Sequence, residues 1–350
     1  MSSNASENAI SIDRFASLGV TQLIAGQNIL AFGPSGAGKS EVIRSIVRPA
    51  LAKHHGLDVG DGNGEFKLWD IRLSHYEAPD LRGYPSIENG LSTWNAPDWL
   101  PKDGEAGILF IDEIANTTDR GVLFGVYELV QERTLGDYTL PKNVYVCAAA
   151  NRDIDVAGLE EIPSALRQRF WVQEVKPTLE GWRDHAVNSG IDIRIIAAAT
   201  AYPELITDWD GEAEGQQPNG RELDRCSKAL AIHEEKSGPN SDLRTIFGGY
   251  VGYAAASQIA NICIQFDAII PITRILEHPN TCELPEGPDQ RASVTCALAV
   301  QVKEGTCAAA IQYLTRLDRR DYLALFKSVV LKRNEHGAEA AEAFTDLLAS

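Results

Sequence analysis

The stretch GPSGAGKS, residues 33–40, fits the pattern G-x-x-x-x-G-K-[ST]. It follows the apolar run NILAF (28–32) and opens the helix-spaced run GKSEVIRSIVRPALAKHH (38–55). Strand, glycine-rich turn and helix is the context in which this pattern cradles phosphate. The glycines let the backbone curl so that successive N–H groups and the helix N-terminus face one anion. Gly33, Pro34, Ser35, Gly36, Ala37 and Gly38, with Lys39, Ser40 and Glu41 of the first helical turn, are therefore the expected nucleotide-binding residues. Lys39 is expected to reach the β- and γ-phosphates, and the Ser40 hydroxyl to ligate Mg²⁺. A plain glycine-rich strand–helix turn is the competing reading, and eight matching residues in the right context weigh against it.

About seventy residues on, ILFIDEI (108–114) is an apolar strand that stops on two acids. Asp112 is expected to hold the Mg²⁺ through its water shell, and Glu113 to polarise the attacking water. A base in that second position favours hydrolysis over phosphorylation of a small metabolite. A third apolar run, YVCAAANRD (145–153), ends on Asn151. Ligands gather at the carboxyl ends of parallel strands, so Asn151 is expected beside the γ-phosphate. On its own, an Asn after a strand is usually a turn residue.

Short continuous apolar strands at 28–32, 66–73, 107–111 and 143–150 alternate with helix-spaced segments. This predicts a doubly wound α/β sheet up to about residue 177, with a flexible lead-in at 1–19. Beyond it the texture becomes helical, broken by polar stretches at 208–220, 234–242 and 277–290. A smaller all-helical lid over 178–290 and a helical extension over 291–350 are expected.

The chain has 350 residues, 44% hydrophobic and 23% charged, with a formal net charge of −17. Such an acid excess argues against a surface whose main task is gripping nucleic acid. Six cysteines without a CxxC pair, and no basic-then-apolar leader, suggest reduced thiols and a cytoplasmic protein. His54 and His55 adjoin at a helix end and suit the helix dipole better than a metal.

The segment ALRQRFW (165–171) places Arg167 and Arg169 two positions apart, ahead of an aromatic pair. Two positions on a helix point to nearly opposite sides. If Pro163 starts a short helix here, the two arginines serve different groups, with Phe170 and Trp171 anchoring the helix end.

The phosphate loop, the Asp-Glu strand, the Asn-ended strand and ALRQRF, in this order, resemble the AAA+ ATPases over roughly residues 20–175. The stretch APDLRGYPS, followed by LPKDGEAGILFIDEIANTTDRGVLFGVYELVQERTLGDYTLP, resembles the MoxR branch. The resemblance implies ATP and Mg²⁺ as cofactors, and a homo-oligomeric ring, hexameric by analogy. It implies that Asn151 is the sensor-1 residue, and that Arg169, which abuts Phe170, is a finger acting on a neighbour's ATP with Arg167 as its interface partner. It further implies a lid arginine as sensor 2, for which Arg221 is the candidate and Arg225 the fallback. MoxR-like chains have Asp where this one has Gln168. They remodel or activate a partner protein, commonly with one bearing a von Willebrand A domain. A nucleic-acid motor or loader is the alternative within the superfamily. Tyr84 either faces a central pore or packs under a Pro-turn. Tyr138 is expected to pack in a hairpin, and Trp94 and Trp99 to cover the core edge.

Overall fold

The computed structural model describes residues 8–117, 119–151, 162–208, 215–237, 242–266, 271–303, 305–317 and 320–333. The first seven residues of the expected lead-in, the last seventeen of the expected extension and much of the polar stretches at 208–220 and 234–242 lie outside the described residues. The chain divides into two compact units, Met1–Lys176 and Pro177–Ser350.

In the first unit a six-stranded parallel sheet has the strand order β1-β10-β2-β9-β6-β3. These strands are β1 (Ile10–Ser11), β2 (Asn28–Phe32), β3 (Phe66–Arg72), β6 (Ala106–Asp112), β9 (Val144–Ala150) and β10 (Phe170–Lys176). Among the described residues two small antiparallel hairpins complete the set, β4 (Tyr84–Glu88) with β5 (Leu91–Asn95) and β7 (Thr134–Leu135) with β8 (Tyr138–Thr139). The helices are α1 (Ile12–Ile24), α2 (Lys39–Val42), α3 (Arg48–His55), α4 (Ala78–Arg82), α5 (Arg120–Gln131) and α6 (Ser164–Arg167).

Strands buried on both faces read as continuous apolar runs because successive side chains feed opposite cores. Leu30, Leu109, Ile111, Val146 and Ala148 pack on one face with Val122, Val126 and Leu129 of α5. Ile29, Ala31, Ile108, Phe110, Cys147 and Ala149 pack on the other with Phe15, Leu23, Ile43, Val47 and Leu51. The doubly wound α/β sheet expected from the sequence is therefore present, with all four expected strands within it.

Three local expectations need correction. Residues 12–19 are not a flexible lead-in but the first turns of α1, whose Ile12, Phe15, Ala16, Gly19 and Leu23 are buried at helical spacing. Ser11 caps that helix by accepting from the Arg14 N–H at 3.3 Å. The run after the phosphate loop is not one regular helix: five residues, Ile43–Val47, form a π turn between α2 and α3. Pro49 has no N–H to give Ser45 and its ring crowds that carbonyl, so the wider turn accommodates it. Phe170 and Trp171 do not end a helix. α6 stops at Arg167, and the alternating FWVQEVK becomes β10, with Phe170 in one core and Trp171 stacked on Phe15 at 5.7 Å in the other.

The elements of the second unit are all helices among its described residues. Its helices are α7 (Leu179–Ser189), α8 (Ile193–Ala201), α9 (Glu204–Thr207), α10 (Gly220–Ser237), α11 (Leu243–Val251), α12 (Tyr253–Gln265), α13 (Ile272–Glu277), α14 (Pro288–Gln301), α15 (Cys307–Leu314) and α16 (Arg320–Arg333). One core runs from Ala186 to Val330. The expected boundary after residue 290 falls inside α14, whose Ala292, Val294, Cys296 and Leu298 are buried in that same core. Among the described residues no helix is long and apolar enough to cross a membrane.

Candidate nucleotide site

β9 lies between β2 and β6. Adjacent strands are ~4.8 Å apart, so the phosphate loop and the Asp-Glu strand stand two spacings apart, with Asn151 emerging between them. All three strands run parallel, so their carboxyl ends meet on one rim.

The loop between β2 and α2 is shaped by its glycines. Gly36 and Gly38 have φ of 74° and 86°, which side chains rarely adopt. Gly33 is packed instead of twisted: its N–H donates to the Ala150 carbonyl at 3.2 Å, and an added Cβ would come within 2.5 Å of the Val175 carbonyl. Pro34 contributes its carbonyl, which accepts from Ala37 at 3.3 Å. Ser35 and Gly36 stay partly open, Ala37 is buried, and the exposed Glu41 follows on α2.

Lys39 is only 7% exposed. Its ammonium donates to the carbonyls of Gly33 and Pro34, each at 2.7 Å, and to Asn151 Oδ1 at 2.9 Å. The Ser40 hydroxyl donates to Asp112 Oδ2 at 2.8 Å, and the Glu113 N–H donates to Asp112 Oδ1 at 3.0 Å. The sequence-predicted Lys39, Ser40, Asp112, Glu113 and Asn151 thus converge on one rim. A hydroxyl beside one carboxylate is a hard-oxygen donor set that fits Mg²⁺, which takes one or two protein oxygens and leaves the rest to water and phosphate.

β6 ends abruptly at Glu113, whose φ of 55° is left-handed. A non-glycine residue there costs about 1–2 kcal/mol. Asn116, on which no expectation was placed, donates its amide to Glu113 Oε2 at 2.8 Å.

Arg167 and Arg169 have different surroundings. Arg167 is exposed at the end of α6, with its guanidinium carbon 5.4 Å from the centre of the Phe32 ring, one residue before the loop. Arg169 lies in the turn before β10. Its guanidinium donates to Gln131 Oε1 and to the Ala165 carbonyl, and sits 5.3 Å over the Tyr127 ring. Asn28 Nδ2 ties this turn to the end of α5, donating to the carbonyls of Arg169 (3.3 Å) and Val130 (3.0 Å). Arg221 and Arg225 belong to the second unit. There the Arg221 N–H is capped by Asn219 Oδ1 at 3.0 Å, and the Arg225 side chain pairs with Glu222 on its own helix at 3.0 Å.

The aromatics divide. Trp99 covers the core edge, with its Nε1 donating to the Asp80 carbonyl at 3.1 Å. Trp94 does not: it is 45% exposed on β5. Tyr84 is 63% exposed on β4. Asn89 and Gly90, at φ of 53° and 77°, form the tight turn that joins β4 to β5. Tyr138 is half-buried, with its hydroxyl donating to the Pro101 carbonyl at 2.6 Å, and burial raises its pKa. His55 pairs with the Tyr145 hydroxyl at 2.8 Å, and burial followed by the neighbouring His54 lowers its pKa. Among the described residues no group of three or more His, Cys, Asp or Glu is arranged to hold a metal ion.

No family model matches the chain, and no curated protein matches it. Among solved structures it is similar to NtrX from Brucella abortus in complex with ATP, at 14% identity and a TM-score of 0.41, over 94% of this chain and 69% of that one. It is similar to a RuvB mutant from Thermotoga maritima, at 16% identity and a TM-score of 0.38, over 87% and 90%. It is also similar to ORC2 from Aeropyrum pernix in ADPNP and ADP complexes, at 13% identity and a TM-score of 0.39, over 94% and 96%. At these TM-scores the similarities carry no weight for function, which has to come from the site.

Proposed function

We propose that the chain is a Mg²⁺-dependent ATPase of the AAA+ type that works as a homo-oligomeric ring and remodels or activates a partner protein, as the MoxR resemblance implies. The observation that carries the hydrolytic part is the convergence of Lys39 with Asn151 and of Ser40 with Asp112 on one rim of the sheet. In this reading the loop amides and Lys39 bind the β- and γ-phosphates. Ser40 and Asp112 would hold Mg²⁺, which when bound would neutralise charge that develops on the phosphate oxygens. Glu113 accepts a proton from the water that attacks the γ-phosphorus while the bond to the bridging oxygen breaks, giving ADP and phosphate. Asn151 helps to orient that water.

Arg169 is our finger in trans, with Arg167 beside it at the subunit boundary. Arg169 would leave Gln131 and the Ala165 carbonyl to cross that boundary. Fingers of this kind contribute ~10³–10⁵ in rate elsewhere. Arg221 is assigned to sensor 2, with Arg225 as the fallback.

Phosphate release by the purified chain tests the reading. Wild type is expected to turn over with a specific activity that rises with protein concentration. Lys39→Ala should abolish turnover, and Glu113→Gln should bind ATP with little hydrolysis. Arg169→Ala should lose the concentration-dependent rise, and retention of wild-type activity by this variant would remove the trans finger. A wild type inactive at every concentration, with ATP and Mg²⁺ supplied, would overturn the whole proposal.

A further inference from the structure

The water-polarising carboxylate has a holder. Glu113 lies where β6 stops, and two backbone bonds fix the turn that follows: the Ile114 N–H donates to the Ala149 carbonyl of β9 at 3.0 Å, and the Asn116 N–H donates to the Glu113 carbonyl at 2.8 Å. The side chain needs its own restraint. A free glutamate at a sheet rim samples many rotamers, and fixing it costs side-chain entropy. Asn116 Nδ2 supplies that restraint, at 2.8 Å from Oε2. With Oε2 engaged by one hydrogen bond, the carboxylate is held in one orientation and keeps its remaining lone pairs for a water.

We propose that Asn116 is a positioning residue for Glu113, acting through the Nδ2–Oε2 hydrogen bond to hold the carboxylate in line for proton acceptance. The proposal rests on the hydrolytic reading above. A merely structural Asn116 would close the turn through its backbone N–H, a bond that every substitution except proline keeps.

Steady-state ATP hydrolysis by Asn116→Ala and Asn116→Asp distinguishes the two roles. The aspartate is nearly isosteric but, when ionised, has no hydrogen to donate. Both variants are expected to lower kcat roughly ten- to a hundredfold, the scale of a small misplacement of a reacting group. KM for ATP and binding of a fluorescent ATP analogue should stay unchanged. In a Glu113→Gln background, Asn116→Ala should add little, because the two residues act as a unit. Thermal unfolding confirms that each variant is folded, and Asn116→Ser, which keeps a donor, should recover part of the lost kcat if alanine proves unstable. Wild-type kcat in Asn116→Ala overturns the proposal, as does an equal loss with and without Glu113. A wild type that binds ATP but never hydrolyses it overturns the hydrolytic reading as well, which separates the two failures.

Discussion

Gly33 is squeezed, not flexed. Its amide is bonded to β9, and the Val175 carbonyl of β10 occupies the space where a side chain would begin. Gly33→Ala should therefore destabilise the first unit by roughly 1–3 kcal/mol, as overpacking does, and a fall in Tm accompanied by weakened ATP binding is the expected result. An unchanged Tm would show that the strand can give way. At this scale the site was largely legible in the sequence. Lys39, Ser40, Asp112, Glu113 and Asn151 each end or begin an element, so their meeting follows once three strands are parallel. Asn116 was not legible, because an Asn three residues after a Glu is ordinary until a left-handed turn folds one onto the other. The contacts of Arg169 with Tyr127 and Gln131 were hidden for a similar reason: they join segments about forty residues apart in sequence.

Among the elements, α5 links the core to the arginine turn. Asp119 caps its start, accepting from the Gly121 and Val122 N–H groups at 2.6 and 3.1 Å. Its last residue, Gln131, meets Arg169. Loss of such a cap costs about 1 kcal/mol. Asp119→Ala should lower the unfolding free energy of the first unit by that amount, read as a lower urea midpoint at an unchanged slope, while a midpoint equal to wild type would mean that packing alone holds α5. Strands buried on both faces were readable as apolar runs. β10 was not, since FWVQEVK mixes polar and apolar residues and followed an apparent helix. The β4–β5 hairpin has a sequence signal of its own. Asn89-Gly90 between two alternating segments is the pattern of a tight two-residue turn. In the helical unit α14 mixes polar and apolar residues, and only packing shows its Ala292, Val294, Cys296 and Leu298 to be central.

For the molecule as a whole, the burial of every thiol has a practical consequence. All six cysteines lie in the interior, where burial pushes those of Cys226 and Cys263 up to about 12 and those of Cys147 and Cys296 higher still. Neither thiolate nor access is then on offer to an alkylating reagent. The six are unevenly shared, Cys147 in the first unit and Cys226, Cys263, Cys282, Cys296 and Cys307 in the second. Each unit thus carries its own clock for opening, with a stoichiometry that names it in a mass spectrum. Under mild denaturant, pulsed maleimide labelling should give species with one or five adducts if the units open independently. Only unlabelled and sixfold-labelled chains should appear if they open together. ATP with Mg²⁺ should slow the Cys147 clock, because Cys147 lies on the strand that leads into Asn151.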